Sequence, residues 1–280
     1  MFEEFYQKYA PEEQEVIVLI RNCIGAGYNG SGNFWKMTVI SLGMMSCDTG
    51  KVELGEGRLE WPVIKEEMNT DKGWGRFHKG QICRLKVRRL LDNFVPDHIS
   101  AEQFNSWAVI EVLESSMSCP QLESAWEEYQ KPVVIEDEIL GTLELNREFA
   151  QLEGEILWNG EEVSLFLELD LEDQVTWDSV RSIAQKMVTN SESWDKSMRE
   201  FAAEKLTELA NEWLANDEEN ENTDPVTEKT FADRIALTEL SITCDGDFTA
   251  YYDDDDLFWR HTIEVCGSLE TGIESANIAG

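Results

Sequence analysis

The chain has 280 residues, with 23 Lys plus Arg against 57 Asp plus Glu and a formal net charge of −34. Its 42% hydrophobic content and ten Trp exclude a disordered acidic chain, which lacks enough buriable side chains to offset its conformational entropy. So acidic a surface repels phosphate backbones and anionic headgroups, which disfavours nucleic-acid and membrane ligands and favours cations or basic proteins.

At roughly 100–200 residues per domain the length predicts two domains, neither needing a cofactor to hold it together. Residues 1–135 carry 14 Lys/Arg and 20 Asp/Glu, a charge of −6, whereas residues 136–280 carry 9 and 37, a charge of −28. The step falls near Lys131-Pro132, and with no Gly/Ser-rich linker there the domains are expected to touch. The N-terminus, Met-Phe-Glu-Glu-Phe, lacks a basic signal region, and the apolar run Val16 to Ile20 is too short for a signal core. No run approaches the ~20 apolar residues of a membrane span.

After an amphipathic opening at Phe2 to Tyr9, strands are predicted at Val16 to Ile24, Phe34 to Met45, Lys51 to Leu54, Ile82 to Leu91 and Trp107 to Leu113. A helix at Pro120 to Tyr129 closes what reads as a barrel-like or curled-sheet domain. The second half opens with strands at Leu140 to Leu145, Gln151 to Trp158 and Val163 to Leu169, the last two joined across Asn159-Gly160. Val180, Ile183, Ala184 and Met187 recur at helical spacing behind a cap at Thr176 or Asp178. Met198, Phe201, Ala202, Leu206, Leu209 and Trp213 form a second stripe. An acidic loop at Asn216 to Pro225, expected to be solvated and mobile, leads to a short helix at Thr227 to Ile235. Strands follow at Leu240 to Tyr252, turning at Asp245-Gly246, and at Leu257 to Val265. The fold class is therefore α+β, a β-rich barrel-like domain at 1–135 and a two-layer α/β sandwich with an antiparallel sheet at 136–280.

Gly25-Ala26-Gly27-Tyr28-Asn29-Gly30 matches GxGxxG, but a strand-like run at Phe34 to Ile40 stands where a phosphate site needs a helix, so the glycines read as a hairpin loop. Gly30-Ser31-Gly32 is not a nucleophile elbow and assigns no base to Ser31. His78, His98 and His261 lack metal-binding spacing, and His261, beside Trp259, reads as a core or rim histidine. The six cysteines are dispersed with no CxxC pair, which points to a reducing cytoplasm. No catalytic residue and no cofactor is called for.

Lys72 to Arg89 is the exception to the acidity. In a chain of −34 its charges are expected to pair with the acidic second domain or with Glu66 and Glu67, and the alternation of Arg84, Lys86 and Arg88 suits the solvent face of a strand. Asp253-Asp254-Asp255-Asp256 reads as a solvated turn whose mutual repulsion a cation or basic partner would relieve; its spacing is not that of an EF-hand. Exposed aromatic neighbours such as Tyr252 and Trp259 would be interface anchors.

The stretch Tyr252-Asp253-Asp254-Asp255-Asp256-Leu257-Phe258-Trp259-Arg260-His261, the opening Ile139 to Leu145 and the helices with Trp213 resemble bacterial proteins carrying the domain of unknown function numbered 2262, over about residues 136–280. Relatives often have Gly where Arg260 stands, and the first half looks like the β-rich domain that accompanies this one in longer members. The resemblance implies a bacterial cytoplasmic protein of the kind found among immunity-like genes beside polymorphic toxins, with no established catalytic residues. The leading expectation is a non-enzymatic module binding a basic protein, most concretely an immunity-like protein occluding a toxin or effector through Tyr252, Asp253 to Asp256 and Trp259. The alternatives are a sensor or hydrolase holding a small anionic ligand between the domains with Arg84, Lys86 and Arg88, and an acidic mimic of nucleic acid.

Overall fold

The computed structural model describes residues 2–96, 104–171, 173–216 and 224–279, and the chain divides into two compact units, Met1–Lys131 and Pro132–Gly280. His98 and most of the predicted 216–225 loop lie outside the described residues. No helix among the described residues is long and apolar enough to cross a membrane.

In the first unit a one-turn helix α1 (Glu3–Tyr6) precedes β1 (Gln14–Asn29), β2 (Phe34–Ser46), β3 (Val52–Val63), β4 (Ile82–Arg89) and β5 (Ser106–Glu114), and α2 (Pro120–Tyr129) follows. The strands close into a barrel in the order β1-β2-β3-β5-β4, with β3 and β5 parallel and every other pair antiparallel. Closure is the pairing of the two end strands of this order, β1 and β4. Three register shifts between Leu19 and Gly25 coil β1 so that it holds both β2 and β4. The run Val16 to Ile20 is continuously apolar because both of its faces are buried. Val16, Val18 and Ile20 enter the barrel core with Met37, Leu59 and Leu85, while Ile17 and Leu19 meet Cys119 and Leu122 at α2. Each such side chain contributes about 1.5–3 kcal/mol on burial.

The second unit runs β6 (Val134–Asp137), β7 (Gly141–Asn146), β8 (Gln151–Trp158), β9 (Glu161–Glu168), α3 (Gln174–Thr189), α4 (Ser191–Ala215), α5 (Glu228–Arg234), β10 (Ala236–Ile242), β11 (Asp247–Asp253), β12 (Thr262–Ser268) and β13 (Gly272–Ala279). Its eight strands form one sheet in sequence order. Two antiparallel meanders meet where β9 and β10 pair in parallel, because the intervening helices return the chain to the end of the sheet from which β9 began. Trp177, Val180, Ala184 and Met187 of α3 and Met198, Ala202, Leu206 and Ala210 of α4 pack into one core with the inward residues of the strands, making the expected two-layer sandwich.

Several expectations are corrected in detail. The short strand predicted at Lys51 to Leu54 continues to Val63, and Gly25 to Asn29 lie inside β1, with the hairpin turn after them. The cap of α3 is Asp173, which accepts from the Val175 amide at 2.9 Å, and not Thr176 or Asp178. Leu257 to Arg260 are turn residues and not the start of the last strand, and β6 and β13 had no counterpart in the sequence reading.

Candidate protein-binding face

Strand residues alternate between faces, so packing the helices on one side of a single sheet leaves the other side without a layer from this unit. No described element of the second unit covers that side. The eight strands carry thirteen Asp/Glu and no Lys, Arg or His; the nine Lys and Arg of this half, and His261, lie in helices, turns or loops. The register aligns the outward residues Glu155, Ser164, Glu239, Tyr251, Glu264 and Asn277 in one row across six strands. In a neighbouring row Glu144 faces Glu153, which faces the half-buried Phe166.

Carboxylates two strands apart are separated by about 10 Å, where like charges repel by roughly 0.4–1.7 kcal/mol before screening by salt. No ion pair offsets Glu144, Glu153, Glu155, Glu239 or Glu264 among the described residues, although Asn146 and Gln151 donate to Glu153 at 2.8 and 2.7 Å. The field is felt by Tyr251. Burial first, and then the charges of Glu264 and Glu239 on its two flanks, push its phenol above the ordinary value. A face of this kind is stabilised by a cationic surface laid against it.

The aspartate run has a different role from the one expected. Asp254 is buried, and its carboxylate accepts amide hydrogen bonds from Phe258 (2.6 Å), Arg260 (3.2 Å) and Asp256 (3.2 Å). This cage holds Asp255, Asp256, Trp259 and Arg260 at φ of 48°, 60°, 54° and 70°. Arg234 pairs with Asp255 at 2.6 Å, Arg260 with Asp256 at 3.3 Å, and Asp253 accepts from the Asp255 amide. The run is thus a built turn rather than four free carboxylates, and among the described residues no group of three or more His, Cys, Asp or Glu is arranged to hold a metal ion. Tyr252 is fully buried, donating to Asp195 at 3.4 Å, so neither it nor Asp254 can anchor a partner at the surface. Trp259 is 55% exposed, its ring 4.8 Å from that of Trp213 on α4, and His261 packs edge-on against the same Trp213. The rim reading of His261 holds, although it precedes β12 instead of lying within a strand.

Most of the basic segment of the first unit is engaged where it lies. Arg84 pairs with Glu114 (2.6 Å), Lys86 with Glu13 and Glu111 (both 3.7 Å), and Arg88 with Glu13 (2.6 Å). Glu13 is held below the ordinary carboxylate range, chiefly by its hydrogen bond from Arg88. Of the expected partners, Glu67 takes up Lys72. Arg76 lies over the Trp61 and Phe77 rings at 5.2 and 5.7 Å instead of facing a ligand. Sequence reasoning missed the sheet carboxylates, although the period-2 placement of Glu153 and Glu155 between Leu152 and Ile156 carried the signal that they share an outward face.

Comparison with known families accounts for both units. Residues 1–129 match the model of a domain of unknown function, DUF7021, and residues 137–278 match that of DUF2262, described as an uncharacterized protein conserved in bacteria. No curated protein is similar to the chain. The second match covers the sheet, its helices and the Asp254 turn, and spans half of the sequence: the chain belongs to the DUF2262 family.

Proposed function

We propose that the protein is a non-enzymatic binding module whose bare sheet face docks a basic protein partner, acting as an immunity-like protein that occludes a bacterial toxin or effector. The observation that carries this reading is the charge of that face: Glu144, Glu153, Glu155, Glu239 and Glu264 lie on it, no strand of the sheet carries a basic side chain, and no described element of the unit covers it. Partner cations brought to such a face gain Coulomb energy and relieve the repulsion already present, so association is fast at low salt and slows as salt rises. Tyr251 and Phe166, half-buried on the same face, supply contact area between the charges. All six cysteines are unpaired thiols, which suits the cytoplasm as the place of action.

The test compares two variants of equal charge change. One neutralises Glu153, Glu155, Glu239 and Glu264 to Gln on the sheet; the other neutralises Glu200, Glu204, Glu208 and Glu212 to Gln on α4. Each is used with the wild type to capture proteins from the bacterium's own lysate at low and high salt. Recovery of a basic protein by the wild type and the α4 variant, but not by the sheet variant, is expected. Equal recovery by the sheet variant, or equal loss in both variants, would falsify the assignment.

A further inference from the structure

The first unit carries a second feature that the acidic face does not use. A cleft of about 830 Å³ opens between the α1 segment, the β1–β2 hairpin, β2, β3 and the residues that follow β4. That volume falls within the range of small-molecule sites. Its floor includes the buried rings of Phe5 and Phe34, and its lining includes Tyr28 and Phe94, which are 56% and 43% exposed. The Tyr28 ring already packs on Trp35 at 5.2 Å and its hydroxyl donates to Asn33 at 3.0 Å, which leaves Phe94, with no ring contact among the described residues, as the open aromatic face of the cleft.

The charge of the cleft is opposite to that of the chain. Lys8, Lys36 and Arg58 line it together with one carboxylate, Glu60. Glu60 is 6% exposed and both of its oxygens are engaged, Oε2 by the Tyr9 hydroxyl at 2.7 Å and Oε1 by the Lys36 ammonium at 2.6 Å. Arg58 Nε lies 3.9 Å from the same oxygen, while among the described residues its terminal nitrogens and the Lys8 ammonium have no hydrogen-bond partner. Glu4, held near the rim by Ser31 at 2.7 Å, removes part of the excess but not all of it. Glu60 is buried while the Lys36 side chain is 41% exposed, so the Tyr9-Glu60-Lys36 network holds a solvent-reaching ammonium through a buried carboxylate. It fixes an ammonium group at the wall of the cleft.

We propose that this cleft binds a small anion bearing a planar ring, of the size of a nucleoside monophosphate, with its phosphate on Lys8, Lys36 and Arg58 and its ring against Phe94. Charge-assisted hydrogen bonds hold the phosphate, and stacking on an aromatic side chain serves any base. A polynucleotide is excluded by scale. Screening confines the field of these few cations to about 8 Å, and a longer polyanion would run out over a half of the chain whose own charge is −6. The site is independent of the protein-binding face, so either can fail without the other.

Isothermal titration of the full chain with adenosine 5′-monophosphate, and with the other three ribonucleoside monophosphates, tests the proposal, with inorganic phosphate and adenosine as half-ligands. Saturable binding of at least one nucleotide is expected, weakened about tenfold or more both by Arg58→Gln and by Phe94→Ala. Lys8→Gln, at a side chain with no hydrogen-bond partner among the described residues, gives the same direction of change with an unaltered melting temperature and so separates binding from folding. No saturable heat into the millimolar range, or binding unchanged in Arg58→Gln and Phe94→Ala, overturns the site. Inorganic phosphate binding as tightly as every nucleotide, with Phe94→Ala silent, overturns the ring-bearing ligand.

Discussion

Replacing Asp254 by Ala removes the group that shapes the turn between β11 and β12. Its carboxylate accepts three amide hydrogen bonds, at 2.6, 3.2 and 3.2 Å. A hydrogen bond to a charged group is worth about 1.5–3 kcal/mol, and because these three share one carboxylate and two are long, the set is worth about 4–5 kcal/mol. Against this stand four non-glycine residues at positive φ, each costing about 1 kcal/mol while the turn is held. The freed turn relaxes and recovers about half of that strain, so the expected net loss is about 2–3 kcal/mol. Asp254→Asn, which keeps one acceptor oxygen, should lose about half as much. Urea unfolding of both variants gives the magnitude, and hydrogen exchange at the Phe258 and Arg260 amides gives the location. Circular dichroism of the Trp213 and Trp259 pair, whose rings are 4.8 Å apart, reports whether Trp259 leaves its seat. A wild-type unfolding midpoint in Asp254→Ala, with undiminished protection of the Phe258 amide, would refute the cage.

Three further outcomes follow from single contacts. Burial alone would raise the Asp137 carboxyl, but amides of Ile139 and Leu140, Gln185 and the Arg181 charge hold it below its ordinary 3.8. Its stabilisation is present above about pH 4 and is lost as pH falls through the folded-state value, so Asp137→Asn should flatten the acid limb of unfolding free energy against pH; an unchanged limb contradicts this. Arg199 binds Asp195 at 2.7 Å and the carbonyls of Ala232 and Ile235, so Arg199→Ala leaves a nearly buried carboxylate unpaired and should cost about 3–5 kcal/mol, with faster exchange of the α5 amides. A Cβ on Gly154 would stand 2.7 Å from the Thr142 carbonyl oxygen and 2.8 Å from Leu143 Cδ2, so Gly154→Ala should destabilise by about 1–3 kcal/mol, measured as a lower melting temperature.

Local patterns were legible where one face was buried and the period was clean, as in α3, α4 and the hairpin at Asn159-Gly160. They were less legible where tertiary pairing overrode composition. Gly25 and Gly27 read as loop residues, yet they lie in β1, where bulges let one strand close a barrel. Leu257 and Phe258 read as strand because they are apolar; they are buried by a turn whose cause, the Asp254 carboxylate, looked like one of four equivalent charges. The acidity of the second half was visible as a count, but its collection on one face follows from the strand register, which no single segment encodes. The cleft of the first unit was invisible for a similar reason: Lys8, Lys36 and Arg58 with Glu60 come from three separate segments and meet only when the barrel closes.

The central claim, that a basic partner docks on the bare sheet face, is tested most directly by labelling carboxyl groups with a carbodiimide and an amine, with and without the partner captured from the lysate. The account predicts loss of labelling at Glu153, Glu155, Glu239 and Glu264 in the complex, with Glu200, Glu204 and Glu208 on α4 labelled as before. Protection of the α4 carboxylates, with the four sheet carboxylates labelled as in the free protein, would contradict it.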